Sequence, residues 1–183
     1  DVYKRQPIHS LEELFAHEQQ TKHKFLIETK IVKGEPHPHL EDKVAALIKQ
    51  YHMENRVMFH SFSAASLKRL QAALPNIPRI LIVGSLKRIN FDVLTYVDGI
   101  NLSSDLVTPQ LVTQLHDLGK KVYVWDEMNE DRAKWTWLVN LNIDGVVTNY
   151  TSLGHEFQTL KAAAVTTSIN DLGANSSLAA LPV

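Results

Sequence analysis

Cysteine is absent from all 183 residues, which excludes disulfides and thiolate metal sites. The absence leaves the compartment open, because a cysteine-free chain is stable in either redox environment. No stretch approaches the roughly 18 apolar residues needed to cross a bilayer. No secretory leader is visible either. Net charge is also scarce: 19 Lys and Arg against 20 Asp and Glu leave a formal charge of -1. Such a balance provides no basic field, so no nucleic-acid partner is expected. The chain has no HExxH, no Gly-rich phosphate loop and no GxSxG. Its histidines show no metal-ligand spacing, and His37 and His39 sit in a Pro-containing loop that reads as solvated.

What is present is a regular alternation of helical and strand signals. Ser10-Leu11-Glu12-Glu13 fits a capping box and predicts a helix to about Gln20. Phe25-Leu26-Ile27 reads as a buried strand, and Leu40, Val44, Leu47, Ile48 and Tyr51 recur at helical spacing. Val57-Met58-Phe59 is a second strand, Leu67, Leu70 and Leu74 mark a helix, and Ile80 to Val83 is a third strand. A short helical stretch near Asn90 to Leu94 precedes a fourth strand at Gly99 to Leu102. Thr108-Pro109 is an N-cap followed by proline at the first helical position, and Gly119 ends that helix. Val122 to Trp125 is the fifth strand. Asn129 caps a helix carrying Trp135, Leu138 and Val139, with Trp135 and Trp137 read as packing residues. Ile143 to Thr148 is the sixth strand, and a helix from about Leu153 to Ala163 follows. Beyond about Val165 the Ala, Ser and Thr content predicts a disordered tail.

Strands and helices in this order predict a parallel sheet, and continuous apolar strands predict that both faces are covered. A closed barrel and an open doubly wound sheet both satisfy that. Polar residues follow nearly every strand: Glu28 and Lys30, His60 and Ser61, Gly84 and Ser85, Asn101 and Ser103, Trp125 and Asp126, Thr148 and Asn149. Parallel strand ends share one rim, where α/β barrels build their sites from many strands, and this spread favours the barrel. Residues 1–163 are therefore expected to form a TIM-type (β/α) barrel with about six of eight strands, N-terminally incomplete, with 164–183 as the tail. The chain opens without methionine and mid-pattern, so an upstream segment is expected, in which a membrane anchor could lie. As given the chain reads as soluble, and the intact protein as cytoplasmic or membrane-associated.

Glu28 and Lys30 are two residues apart on a strand and share a face. A carboxylate can ligate a hard cation and an ammonium can neutralise a phosphate, so the pair suits an anionic substrate with a metal. A buried ion pair that only holds the rim is the alternative reading. His60 and Ser61 are adjacent and face opposite sides, so they do not form a nucleophile–base pair. Trp125 is read either as an outward core residue or as an apolar wall for a ligand.

These residues carry a resemblance. Leu26-Ile27-Glu28-Thr29-Lys30 resembles the "hEhK" strand of the glycerophosphodiester phosphodiesterase family. Ser10 to Leu14, His60-Ser61-Phe62, Val122 to Trp125 and Asp144 to Asn149 resemble further landmarks of that family, in the same order. The resemblance implies that Glu28 ligates Ca²⁺ or Mg²⁺, Lys30 contacts the phosphodiester and Trp125 flanks the glycerol side of a glycerophosphodiester substrate. Asp126 stands where the family usually has Thr and adds a negative charge near the rim. The family's "HRG", "E-x-D" and "HD" motifs, which lie upstream of "hEhK", have no counterpart before Glu28. The implied activity is metal-dependent hydrolysis to an alcohol and glycerol 3-phosphate in lipid and glycerol metabolism. The present chain is expected to be an inactive fragment with open sheet edges. Alternatives are a phospholipase-D-type lyase of the same fold, a Schiff-base barrel enzyme using Lys30, and a non-catalytic phosphate-binding module.

Overall fold

The computed structural model describes residues 7–34, 37–126, 132–152 and 154–163. The fold has two compact units, residues 1–83 with 87–99, and residues 84–86 with 100–183. In the first unit the elements are α1 (Leu11–Glu18), β1 (Phe25–Glu28), α2 (Leu40–Gln50), β2 (Val57–Ser61), α3 (Ala64–Ala73), β3 (Arg79–Val83) and α4 (Phe91–Leu94). Its strands run parallel in the order β1-β2-β3. The register pairs Leu26 with Met58 and Glu28 with His60, then His60 with Ile80 and Ser61 with Leu81.

Local chemistry accounts for the ends of these elements. The Ser10 backbone N–H donates to Glu13 Oε2 at 2.7 Å and the Glu13 N–H donates to Ser10 Oγ at 3.2 Å, so the predicted capping box is formed. Phe15 on α1 is fully buried and meets Phe25 of β1 edge-on, with ring centroids 6.0 Å apart. Arg56 clamps the α1–β1 connection, donating to the carbonyls of Glu18 and His23 and to the Thr21 hydroxyl. Ile48, Phe59, Leu67, Leu70, Leu81 and Val83 complete the core of this unit.

The second unit holds most of β4 (Gly99–Ser103), then α5 (Pro109–Asp117), β5 (Lys121–Trp125), α6 (Arg132–Asn140), β6 (Gly145–Val147) and helical residues 154–163. Its strand order is β4-β5-β6, and β5 pairs with β6 in parallel, Trp125 opposite Val147. Thr108 caps α5 by accepting from the Leu111 N–H at 3.1 Å, and Gly119 takes a φ of +69° just past its end, where a side chain would be strained. Ile100, Leu102, Val122, Val124, Trp135, Leu138 and Ile143 form the core.

Two expectations need correction and two fall outside the described residues. The strands are not all covered on both faces: β1 alternates half-buried with exposed residues, Leu26 is 39% exposed, and every residue of β6 is only half-buried. Each has a hydrogen-bonded neighbour on one side only among the described residues, β2 for β1 and β5 for β6. Trp135 packs as expected, but Trp137, two residues on and so rotated about 200° around the helix, is 41% exposed. The expected cap at Asn129 and the tail 164–183 lie outside the described residues.

Candidate active site

The first unit places Glu28 at the carboxyl end of β1 and Lys30 two residues beyond it, both exposed. Between them Thr29 is buried and points the opposite way. Its Oγ1 accepts from Ser66 Oγ at 2.8 Å, and its carbonyl accepts from Ser61 Oγ at 2.5 Å. The Thr29 N–H donates to the His60 carbonyl at 3.2 Å. This buried hydroxyl network locks the backbone of Thr29, which fixes the face from which Glu28 and Lys30 project. Ser61 also accepts from the Ser63 N–H at 3.0 Å, and Ser63 caps α3, so one network joins β1, β2 and α3.

Among the described residues neither Glu28 nor Lys30 makes an ion pair or a side-chain hydrogen bond. Both are solvent-accessible, so the buried ion pair that would merely hold the rim is not what the fold contains. His60 and Ser61 diverge as alternation requires. Ser61 joins the Thr29 network, and His60, in register with Glu28, lies on the Glu28 face. His60 is 8% exposed, and its Nδ1 has no hydrogen-bond partner. Burial pushes the imidazole below its usual range, and the Glu28 carboxylate pulls the other way.

The second unit places Trp125 at the end of β5, half-buried, on the same face of the strand as half-buried Tyr123. Asp126 follows it and is turned to α6. Its carboxylate pairs with the Lys134 ammonium and accepts from Ser104 Oγ at 2.7 Å, while Lys134 Nζ donates to Ser104 Oγ at 3.0 Å. The negative charge expected at the rim is therefore met by Lys134. No spacing rule links residues 126, 134 and 104, so this trio had no sequence signal. Asn101 on β4 is 1% exposed with Oδ1 unpartnered, a strand-end polar residue that the sequence pattern did single out.

The described residues do not fit a complete divalent-cation site. They contain no group of three or more His, Cys, Asp or Glu side chains able to hold a metal ion. Glu28 offers one hard oxygen-donor side chain, where Ca²⁺ takes about six to eight oxygens and Mg²⁺ about six.

Parallel β/α repeats with polar chemistry at the strand ends define a barrel-type α/β protein, with six of the barrel's strands among the described residues. The sequence profile of the Glycerophosphoryl diester phosphodiesterase family matches residues 2–153, and the chain belongs to that family. Solved structures agree on the fold. A Galdieria sulphuraria protein assigned as a glycerophosphodiester phosphodiesterase is 24% identical with a TM-score of 0.69, over 85% of this chain and 68% of its own. A glycerophosphodiester phosphodiesterase from Parabacteroides distasonis is 17% identical with a TM-score of 0.66, over 85% of this chain and 64% of its own. An Oleispira antarctica phosphodiesterase in complex with the product sn-glycerol-3-phosphate is 20% identical with a TM-score of 0.62, over 82% of this chain and 60% of its own. The chain thus spans 60–68% of these three structures. No curated protein matches it.

Proposed function

We propose that this chain carries part of the site of a metal-dependent phosphodiesterase that hydrolyses glycerophosphodiesters to an alcohol and glycerol 3-phosphate. The observation that carries the reading is the pair Glu28 and Lys30, held on one strand face by the buried Thr29 network, exposed and unpaired with each other. Family membership and a relative solved with glycerol 3-phosphate support the same substrate class.

In the reaction, water adds to phosphorus, the bond from phosphorus to the alcohol oxygen breaks, and that oxygen takes a proton. Lys30 offsets charge on the non-bridging phosphoryl oxygens, and its ammonium acts as a point charge. The family resemblance assigns Trp125 to the glycerol side of the substrate. Glu28 would offer one oxygen-donor side chain to a Ca²⁺ or Mg²⁺ ion, which would supply further charge neutralisation at the phosphate. Hydrolysis also needs a proton acceptor and a proton donor. The 183-residue chain is therefore expected to bind glycerol phosphates while turning substrate over slowly.

The test is release of glycerol 3-phosphate from glycerophosphocholine in the presence of Ca²⁺ or Mg²⁺, paired with calorimetric binding of glycerol 3-phosphate. Binding that Lys30→Ala abolishes, with weak turnover, is the expected result. Rapid turnover would show that the 183-residue chain forms a whole site. A cyclic phosphate product would indicate the lyase reaction instead.

A further inference from the structure

We infer that His60 is a substrate-contacting, specificity-determining residue of this site, whose imidazole hydrogen-bonds a hydroxyl of the glycerol moiety. The inference rests on the phosphodiesterase reading above and extends it to a residue that neither metal nor phosphate binding uses.

Three observations carry it. The first is direction. The register sets His60 beside Glu28, and the opposite face of the two strands is closed by the hydrogen bond from Ser61 to the Thr29 carbonyl. The second is an unmet hydrogen-bonding capacity. His60 is 8% exposed, yet its Nδ1 has no partner, whereas roughly nine in ten or more buried polar groups have one. Its other register neighbour is Ile80, which offers none. The third is depth. Lys30 lies two residues further toward the carboxyl end than Glu28, about 7 Å along the strand. A ligand with its phosphate at Lys30 therefore brings its polyol end toward the row that holds His60.

The chemistry suits a hydroxyl better than a second phosphoryl oxygen. A neutral imidazole has one N–H and one lone pair, and a hydroxyl both donates and accepts. The side chain would thus discriminate a glycerol phosphate from phosphate lacking the polyol.

The experiment follows the imidazole resonances of the full chain by two-bond ¹H–¹⁵N NMR, assigned through His60→Gln, during titration with sn-glycerol 3-phosphate and separately with inorganic phosphate. Dissociation constants are measured in parallel for the unaltered chain, His60→Phe and Lys30→Ala. The His60 ring signals should move with glycerol 3-phosphate and stay in place with phosphate. Affinity for glycerol 3-phosphate should fall about fivefold to tenfold in His60→Phe, the scale of one neutral hydrogen bond, with phosphate affinity unchanged. Ring signals that stay in place at saturation would overturn the inference, whatever the stability of the variants. So would unchanged affinity in a folded His60→Phe, or equal movement with phosphate alone. If Lys30→Ala loses binding and His60→Phe does not, only the role of His60 fails. If the unaltered chain binds neither probe, the phosphodiesterase reading fails and takes this inference with it.

Discussion

Glu28, Thr29 and Lys30 illustrate how three consecutive residues divide labour. The outer two present charge, and the middle one is buried and bonded to Ser61 and Ser66. Ser61→Ala would remove the donor to the Thr29 carbonyl and the acceptor for the Ser63 N–H. Leaving such buried groups unmet costs about 1–3 kcal/mol. A stability loss in that range is expected by thermal unfolding, together with faster amide exchange at residues 28–30. Unchanged exchange there would show that the network does not hold the strand end. The shared face of Glu28 and Lys30 was readable from a spacing of two. Thr29's partners were not, because Ser61 and Ser66 lie 32 and 37 residues away.

Elements are joined by a few buried polar anchors, and two of these predict large effects. Arg79 opens β3 with a side chain only 7% exposed. It donates to the carbonyls of Tyr96 at 3.0 Å, Pro75 at 3.1 Å and Ile77 at 2.5 Å, and pairs with Asp98 at 3.4 Å. Arg79→Ala should cost about 3 kcal/mol, read as a lower urea midpoint. Arg79→Lys should recover only part, because an ammonium cannot reproduce the planar fork. Asp144, just before β6, accepts from the Val122 N–H at 2.8 Å and from Lys121 Nζ at 2.9 Å, and its carboxylate lies 2.9 Å from the His116 ring. Burial alone would raise its pKa, but these partners hold it below the usual carboxylate range. A depressed folded pKa stabilises the fold above the unfolded value of about 4, and that contribution is lost as pH falls through the folded value. Asp144→Asn should therefore lower the melting temperature at pH 7 and flatten its decline between about pH 5 and pH 3. Parallel acid limbs for both proteins would refute that role. Helix starts were legible at this scale, since Ser10 and Thr108 act within three residues of themselves. The anchors were not, because Arg79 also reaches Tyr96 and Asp98, 17 and 19 residues on, and Asp144 reaches His116, Lys121 and Val122, 22 to 28 residues back.

For the molecule as a whole, sheet edges have the widest consequence. Leu26, Ile31 and Val32 on and after β1 are 39%, 45% and 39% exposed, and β1 has β2 as its one hydrogen-bonded neighbour among the described residues. An open apolar edge is a template for pairing with another chain. The protein should associate as its concentration rises, and Leu26→Lys should return it toward monomer in size-exclusion chromatography with light scattering. Identical elution of the two would show that this edge does not drive association. The sequence by itself determined the order of strands and helices, the caps of α1 and α5, the common face of Glu28 and Lys30, and the family landmarks. All of these rest on periodicity, spacing or the nature of single residues. Only the tertiary structure decided that Glu28 and Lys30 are exposed rather than paired and that β1 is covered on one face alone. It also decided that Asp126 is neutralised by Lys134, and that His60 is buried on the Glu28 face with an unmet nitrogen. Each of those depends on which distant residues the fold brings alongside, and burial and hydrogen-bond partnership are properties of that neighbourhood.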